Sequence, residues 1–315
     1  TLFIVIHHGV IEIKRNLVEI LEKYWRDIMS NSSRLVPPCS YQGGKVRLAK
    51  KIVDIILADN EVDENTKFFD LCCGSGAITL ELINRGIHPT NIVMVDIGLY
   101  GLFWNTVANE EFELDVFRKE LNKLPSIENI QKYLQNLSNE PVNEELKVYH
   151  YLMLQAGSFG SKQIWIEGDE WKNNSFRSYW KPTATSKRRS SVNPMMPMPD
   201  TLFSRVEDIV NSLSGCINAI HSDIFQVLYL FDNLNNAIIY IDPPYLGTTS
   251  YKNSVDIYKF IESVNNEIPI YVSEGIPLQG SNNSYLLSKG RNKGNISGNR
   301  KKQPNEEWLN LFMKE

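Results

Sequence analysis

Residues 67–97, KFFDLCCGSGAITLELINRGIHPTNIVMVDI, constrain the fold more than any other stretch of this chain. An apolar run ending in an acid leads through a glycine turn into a helix-period segment closed by Gly86, and a second apolar run ends at Asp96. Continuous rather than alternating hydrophobicity marks strands buried on both faces, so the stretch reads as one β-α-β unit of a parallel sheet. Further strands are expected at 216–221, 237–241 and 268–273, which splits the sheet by about 120 residues, far more than a plain loop spans. The insertion therefore has to fold. The expected class is α/β: a Rossmann-like sheet built from 36–101 and 214–315, with a largely helical, loop-rich domain inserted at 102–213. An N-terminal helical extension is expected over 1–35, from Leu17, Ile20, Leu21 and Tyr24 at helical spacing, and a second helix carries Ala49, Ile52, Val53 and Ile56.

With 315 residues, 42% hydrophobic and 22% charged, the chain can bury a large core. No apolar run approaches the roughly 20 residues of a membrane span, and the opening TLFIVIHHGV has no basic leader, so neither an anchor nor a secretory signal is expected. The cytoplasm is the default location, with no membrane partner. Cys39, Cys72, Cys73 and Cys216 show no metal-ligand spacing, so no metal is expected. They read as reduced and mostly buried, with Cys72 and Cys73 projecting to opposite sides of a strand.

A net charge of −4 argues against a nucleic-acid partner unless a local basic face exists. Residues 160–199 supply a candidate. Trp165, Trp171, Phe176, Tyr179 and Trp180 are interleaved there with Lys162, Lys172, Arg177, Lys181, Lys187, Arg188 and Arg189, against Glu167, Asp169 and Glu170. Two readings stand: a solvated loop pinned to the body by its aromatics, or a surface that meets a phosphate backbone. A basic, glycine-rich stretch near 287–305 either follows a phosphate backbone or is simply mobile.

The turn in DLCCGSG lets a ligand approach the backbone at Gly74 and Gly76, and Asp96 is placed to accept from ribose hydroxyls. Nicotinamide and S-adenosyl-L-methionine (AdoMet) enzymes share this arrangement. A dinucleotide fingerprint needs glycine at 79, where this chain has Thr79, which weakens the pyrophosphate reading. YQGGK, residues 41–45, sets Gly43, Gly44 and Lys45 at the expected start of a helix, where free N–H groups and the helix dipole hold an anion or the lysine is simply solvated. In HSDIF, Asp223 either accepts from an adenine amine while Phe225 covers the ring, or caps a helix.

The stretch AIIYIDPPYLGTTSY ends a strand on Asp242, followed by Pro243, Pro244 and Tyr245. Two prolines make a stiff turn with exposed carbonyls and no N–H donors. The Asp242 carboxylate and the Pro243 carbonyl can together accept both hydrogens of an exocyclic amine, with Tyr245 stacked on the base. Such acceptors localise the amine lone pair and stabilise the charge that grows as it attacks a methyl donor.

In these five motifs and their order the chain resembles the D12 class of DNA adenine-N6 methyltransferases, to which the Dam methylases belong. YQGGK is similar to that family's aromatic-x-G-G-K, DLCCGSG to its AdoMet loop, VDIG to its acidic second-strand motif, HSDIF to its D-F element, and DPPYLGTTSY to its catalytic motif. Leu71 and Cys72 stand where many members have Pro and Phe, and IYVSEG is only a loose match to the fifth-strand motif. The resemblance implies AdoMet as cofactor, held by Tyr41, Gly43, Lys45, Asp70, Gly74, Gly76, Asp96, Asp223, Phe225 and Asp242. It implies Asp242, Pro243, Pro244 and Tyr245 as the catalytic set, and double-stranded DNA as partner. A cognate restriction endonuclease is compatible with it. The insertion becomes the target-recognition domain, with Lys172, Arg177, Lys181, Lys187, Arg188 and Arg189 on DNA. A cytosine-N4 enzyme shares the same hydrogen-bond logic, and an inactive DNA-binding protein of the same fold is the alternative from another class. A cytosine-C5 enzyme would need a Pro-Cys downstream of the AdoMet loop, whereas Cys39 lies upstream and reads as structural.

Overall fold

The computed structural model describes residues 34–179, 184–185, 196–232, 234–245, 254–264, 267–289 and 306–314. The helix expected around Leu17–Tyr24, together with Trp180, Lys181, Lys187, Arg188, Arg189, the G-T-x-x-Y end of the catalytic motif and most of the 287–305 stretch, lies outside them.

Seven strands form one sheet in the order β5-β2-β1-β6-β7-β9-β8, where β1 is Lys67–Leu71, β2 Ile92–Asp96, β5 Asn218–His221, β6 Ala237–Ile241, β7 Ile270–Glu274, β8 Asn283–Ser288 and β9 Glu307–Phe312. The first five run parallel, while β9 pairs antiparallel with both β7 and β8. This is a Rossmann-like sheet, as expected. The strands expected at 237–241 and 268–273 are present, and β8 and β9 are additions that turn a parallel sheet into a mixed one. Strand β6 is buried along its whole length, as a central strand covered on both faces must be.

Successive side chains of the strands alternate between two cores. Phe68, Met94, Tyr240 and Tyr271 join the first core, which also holds Ile52 and Ile56 of helix α1 (Ala49–Asp59), Ile78 of α2 (Ala77–Asn84) and Trp104 of α3 (Leu99–Ala108). Phe69, Leu71, Ile239, Ile241 and Val272 face the second, closed by Phe231 of the 3-10 helix Ile224–Phe231 and by Phe260 of α8 (Ile257–Ser263).

The insertion is mostly helical, as expected: α4 (Leu114–Asn122), α5 (Ile130–Leu137), α6 (Lys147–Gly157) and α7 (Pro199–Leu213), with a small hairpin of β3 (Trp165–Glu167) and β4 (Glu170–Lys172). Among the described residues it has no core of its own. Phe117, Leu134, Leu152 and Ile209 belong to the same buried cluster as Phe103 and Trp104. Helix α3 packs on β2 and β5 and so belongs to the sheet, which places the structural boundary after Ala108 rather than at 102. Among the described residues no helix is long and apolar enough to cross a membrane.

Candidate active site

The parallel strands all end at one edge, and a cleft of about 430 Å³ opens there. It is lined by Tyr41, Gly43, Lys45, Asp70, Gly74, Asp96, Asp223, Asp242, Pro243, Pro244 and Tyr245, which brings eleven of the expected site residues to one place. Gly76 and Phe225 are not on its wall.

The glycine turn is held from both sides. The Gly74 N–H donates to Asp96 Oδ2 at 2.9 Å, and the Trp104 indole N–H donates to the Gly74 carbonyl at 2.9 Å. Asp96 also accepts from the Gly98 N–H through Oδ1 at 2.6 Å. Two backbone donors thus fix the carboxylate at the end of β2 and leave each oxygen further lone pairs for a ligand. Burial raises the Asp96 carboxyl above its ordinary value, with the Gly74 and Gly98 donors opposing.

Gly74, at φ 48°, lies against Tyr41, whose ring carbon a side chain there would meet at 3.0 Å. Gly76, expected on the cofactor, serves the core instead: its φ is 76°, and an added β-carbon would stand 2.4 Å from the Trp104 ring. As the residue preceding α2, Gly76 has no side chain to cap it. Asp70 takes over that task from the neighbouring strand, accepting from both the N–H (3.1 Å) and the hydroxyl (2.7 Å) of Thr79 through Oδ2. Thr79, read only as the absence of a glycine, is the residue that ties helix to strand. Burial pushes the Asp70 carboxyl up to about 7, against the Thr79 hydrogen bonds, and the charges of Asp242 and Asp96 add to the rise.

YQGGK is a turn, closed by the Gly44 N–H on the Tyr41 carbonyl at 3.0 Å, and α1 begins only at Ala49. The two glycines therefore lie ahead of the helix and do not form its N-terminus. The Lys45 ammonium is buried and directed inward, to the Gly43 carbonyl at 2.8 Å and to Asp242 at 2.7 and 2.9 Å. It also lies 4.9 Å from the centroid of the Tyr245 ring. Burial pushes the Asp242 carboxyl up to about 6 even though Lys45 pulls it down, and Glu307 adds to the rise. The Asp242 N–H continues the ladder to the Leu71 carbonyl at 3.2 Å, so the carboxylate begins where β6 stops pairing with β1.

Asp223 fulfils the capping reading, accepting from the Phe225 N–H at 2.8 Å, and it lines the cleft as well. Phe225 turns away to an edge contact with Phe260, and Ile224 takes its expected place on the wall. Cys72, at φ 56°, has left the strand, so both it and Cys73 line the cleft instead of facing opposite ways. Cys39 is buried against the Tyr100 hydroxyl at 3.1 Å, and burial pushes its thiol up to about 11, as befits an inert structural group.

Three side chains of the site carried no signal that a single sequence could reveal. Ile97 lines the cleft beside Asp96, Gln163 reaches it from the insertion, and Glu307 reaches it from the start of β9. Among the described residues no group of His, Cys, Asp and Glu could hold a metal.

The basic stretch of the insertion is corrected in part. Arg177 is buried, and its guanidinium is spent on the Ser158 carbonyl at 2.9 Å and the Ser161 hydroxyl at 3.0 Å, so it braces a turn and does not face a partner. Trp171, Phe176 and Tyr179 are core residues. Lys172 remains at the surface of the hairpin, paired with Glu170.

No protein-family model matches the chain, and no curated protein does. Among solved structures, two of the rRNA methyltransferase aviRa from Streptomyces viridochromogenes are similar. One covers 85% of this chain and 84% of its own at 13% identity, with a TM-score of 0.37. The other covers 84% of each at 12% identity, with a TM-score of 0.38. At this distance the likeness adds nothing on substrate, and the fold stands on the strand order itself.

Proposed function

We propose that this chain transfers a methyl group from AdoMet to N6 of an adenine extruded from double-stranded DNA. The observation that carries the reading is the sharing of one cleft by the Asp96 and Gly74 end of the β-α-β unit and by Asp242, Pro243 and Tyr245 at the end of β6.

The residues present fit AdoMet. The cleft lies within the usual size range of small-molecule sites. Asp96 would take the ribose hydroxyls, Ile97 and Ile224 offer apolar walls to a purine ring, and Asp223 stands beside them. Gly74 keeps the backbone approachable, and Asp70 and Tyr41 lie on the same wall. When bound, AdoMet supplies an electrophilic methyl on a sulfonium.

The chain's own part is to prepare an amine. An exocyclic nitrogen has its lone pair spread into the ring and attacks poorly. The Asp242 carboxylate, ionised above about pH 6, accepts one N–H, and the Pro243 carbonyl accepts the other. Both acceptors draw the nitrogen towards tetrahedral geometry and oppose the positive charge it gains. Tyr245 supplies a ring for the extruded base to stack on. Each Asp242 oxygen has more than one lone pair, so the carboxylate can hold Lys45 and the amine together.

The test is sequencing that reports modified bases, on DNA from cells expressing this chain. N6-methyladenine at a fixed sequence context supports the reading. N4-methylcytosine as the product would move the protein to the neighbouring amine chemistry, and no modification with retained DNA binding would favour an inactive binding protein.

A further inference from the structure

Glu307 stands at the start of β9, a strand that runs antiparallel between β7 and β8. Because of that direction, the beginning of β9 lies at the same sheet edge where the parallel strands end: Trp308 pairs with Glu274, the last residue of β7. The edge strands thereby deliver a carboxylate to the cleft 62 residues beyond Tyr245. The Tyr245 hydroxyl donates to Glu307 Oε2.

The Tyr245 ring is thus held at two points: its hydroxyl is bound by Glu307, and the Lys45 ammonium sits 4.9 Å from its centroid. Tied at its far end and approached by a cation, Tyr245 lines the cleft that a planar ligand would enter. Without the tie, a tyrosine rotates about two side-chain bonds, and stacking would have to fix both.

We infer that Glu307 is a positioning residue for methyl transfer, which holds Tyr245 through its hydroxyl so that the ring is already oriented when the target base enters. The inference rests on the methyltransferase reading above. It gives the tyrosine hydroxyl a task, whereas stacking alone would need only the ring. Glu307 has a second effect, because its charge faces Asp242 together with Lys45, Asp70 and the phenols of Tyr240 and Tyr245. A negative neighbour holds the Asp242 carboxyl up, so removing it lowers the pH at which Asp242 ionises.

The experiment compares the parent with Glu307→Ala, Glu307→Gln, Tyr245→Phe and the Glu307→Ala/Tyr245→Phe double variant. Transfer of labelled methyl to unmethylated genomic DNA is measured at saturating AdoMet across pH, beside AdoMet affinity by calorimetry. Glu307→Ala and Tyr245→Phe should each lose about 10-fold in turnover, with no further loss when combined, since both break one contact. AdoMet affinity should stay within about twofold, because the contact touches the base side of the cleft. Glu307→Gln, whose amide oxygen still accepts from the hydroxyl, should recover most of the lost turnover, with its acid limb moved to lower pH. Independently of turnover, the ring Cζ resonance of Tyr245 in carbon-labelled protein should shift in Glu307→Ala and hardly move in Glu307→Gln. An active parent whose Glu307→Ala variant is equally active, or single losses that multiply in the double variant, overturns the inference alone. A parent that binds AdoMet, shows the Cζ response and methylates no nucleic acid overturns the methyltransferase reading and the base-holding role with it.

Discussion

The ammonium of Lys45 donates to both carboxylate oxygens of Asp242, at 2.7 and 2.9 Å, across 197 residues of sequence. The pair joins the first motif of the site to the last, and it sets the charge of the group proposed to accept the target amine. Since Asp242 ionises near pH 6, methyl transfer should show an acid limb there. Lys45→Met removes the charge that pulls the carboxyl down, so the limb should move up by about 1–3 pH units. A pH profile of turnover checks the sign. The cost in stability is limited, because Asp242 can protonate instead of remaining as an unpaired charge.

Asp70 gives a prediction for stability. Its carboxyl rises from 3.8 to about 7 on folding, so the folded state holds the proton more tightly. Its contribution is then full below about pH 4 and declines as pH rises towards 7. Asp70→Asn keeps an acceptor for Thr79 and removes the charge. Denaturant titrations should find the variant at least as stable as the parent at pH 8, with the parent regaining ground at pH 5. Thr79→Val removes the hydroxyl donor and should cost about 1–3 kcal/mol.

The two turn glycines should separate in their effects. Gly76→Ala places a β-carbon against Trp104 at a left-handed φ and should cost about 2–4 kcal/mol in urea unfolding, with the close contact and the backbone both contributing. Gly74→Ala meets the Tyr41 ring, the end of a movable side chain, and should spare more of the stability while weakening AdoMet binding by calorimetry.

Arg177→Met should behave as a core variant. It removes the guanidinium donor from the Ser161 hydroxyl and from the Ser158 carbonyl, which keeps the Ser161 N–H, so the melting temperature should fall, while the salt dependence of DNA binding keeps its slope. A reduced slope would place Arg177 on the phosphate backbone after all.

The central strands and the cleft were legible because their residues report their own surroundings. Five apolar residues running into Asp242 and two prolines can only be a buried strand that stops at a polar edge, and Asp96 closes β2 in the same way. Strand β9 was not legible, because Asn310 interrupts its apolar run. That amide is buried, accepting from the Leu278 N–H and the Ser284 hydroxyl and donating to the Val272 and Ile276 carbonyls, so a polar letter in the sequence marks a core position. Among the described residues strand β8 pairs only with β9, and it is half polar, as an outer strand tends to be. Thr79, Trp104 and Glu307 matter through partners that only the folded chain brings near. Arg177 was misread because a count of charges does not show whether a base is spent inside the protein.

The most direct measurement is transfer of labelled methyl from AdoMet to unmethylated DNA by the parent and by Asp242→Ala, with nucleoside analysis of the product. The parent should yield N6-methyladenine. Asp242→Ala should fold, keep DNA binding and transfer no methyl, and Asp242→Asn should be severely impaired, since one acceptor oxygen becomes a donor. A folded Asp242→Ala protein with the parent's full activity would contradict the account.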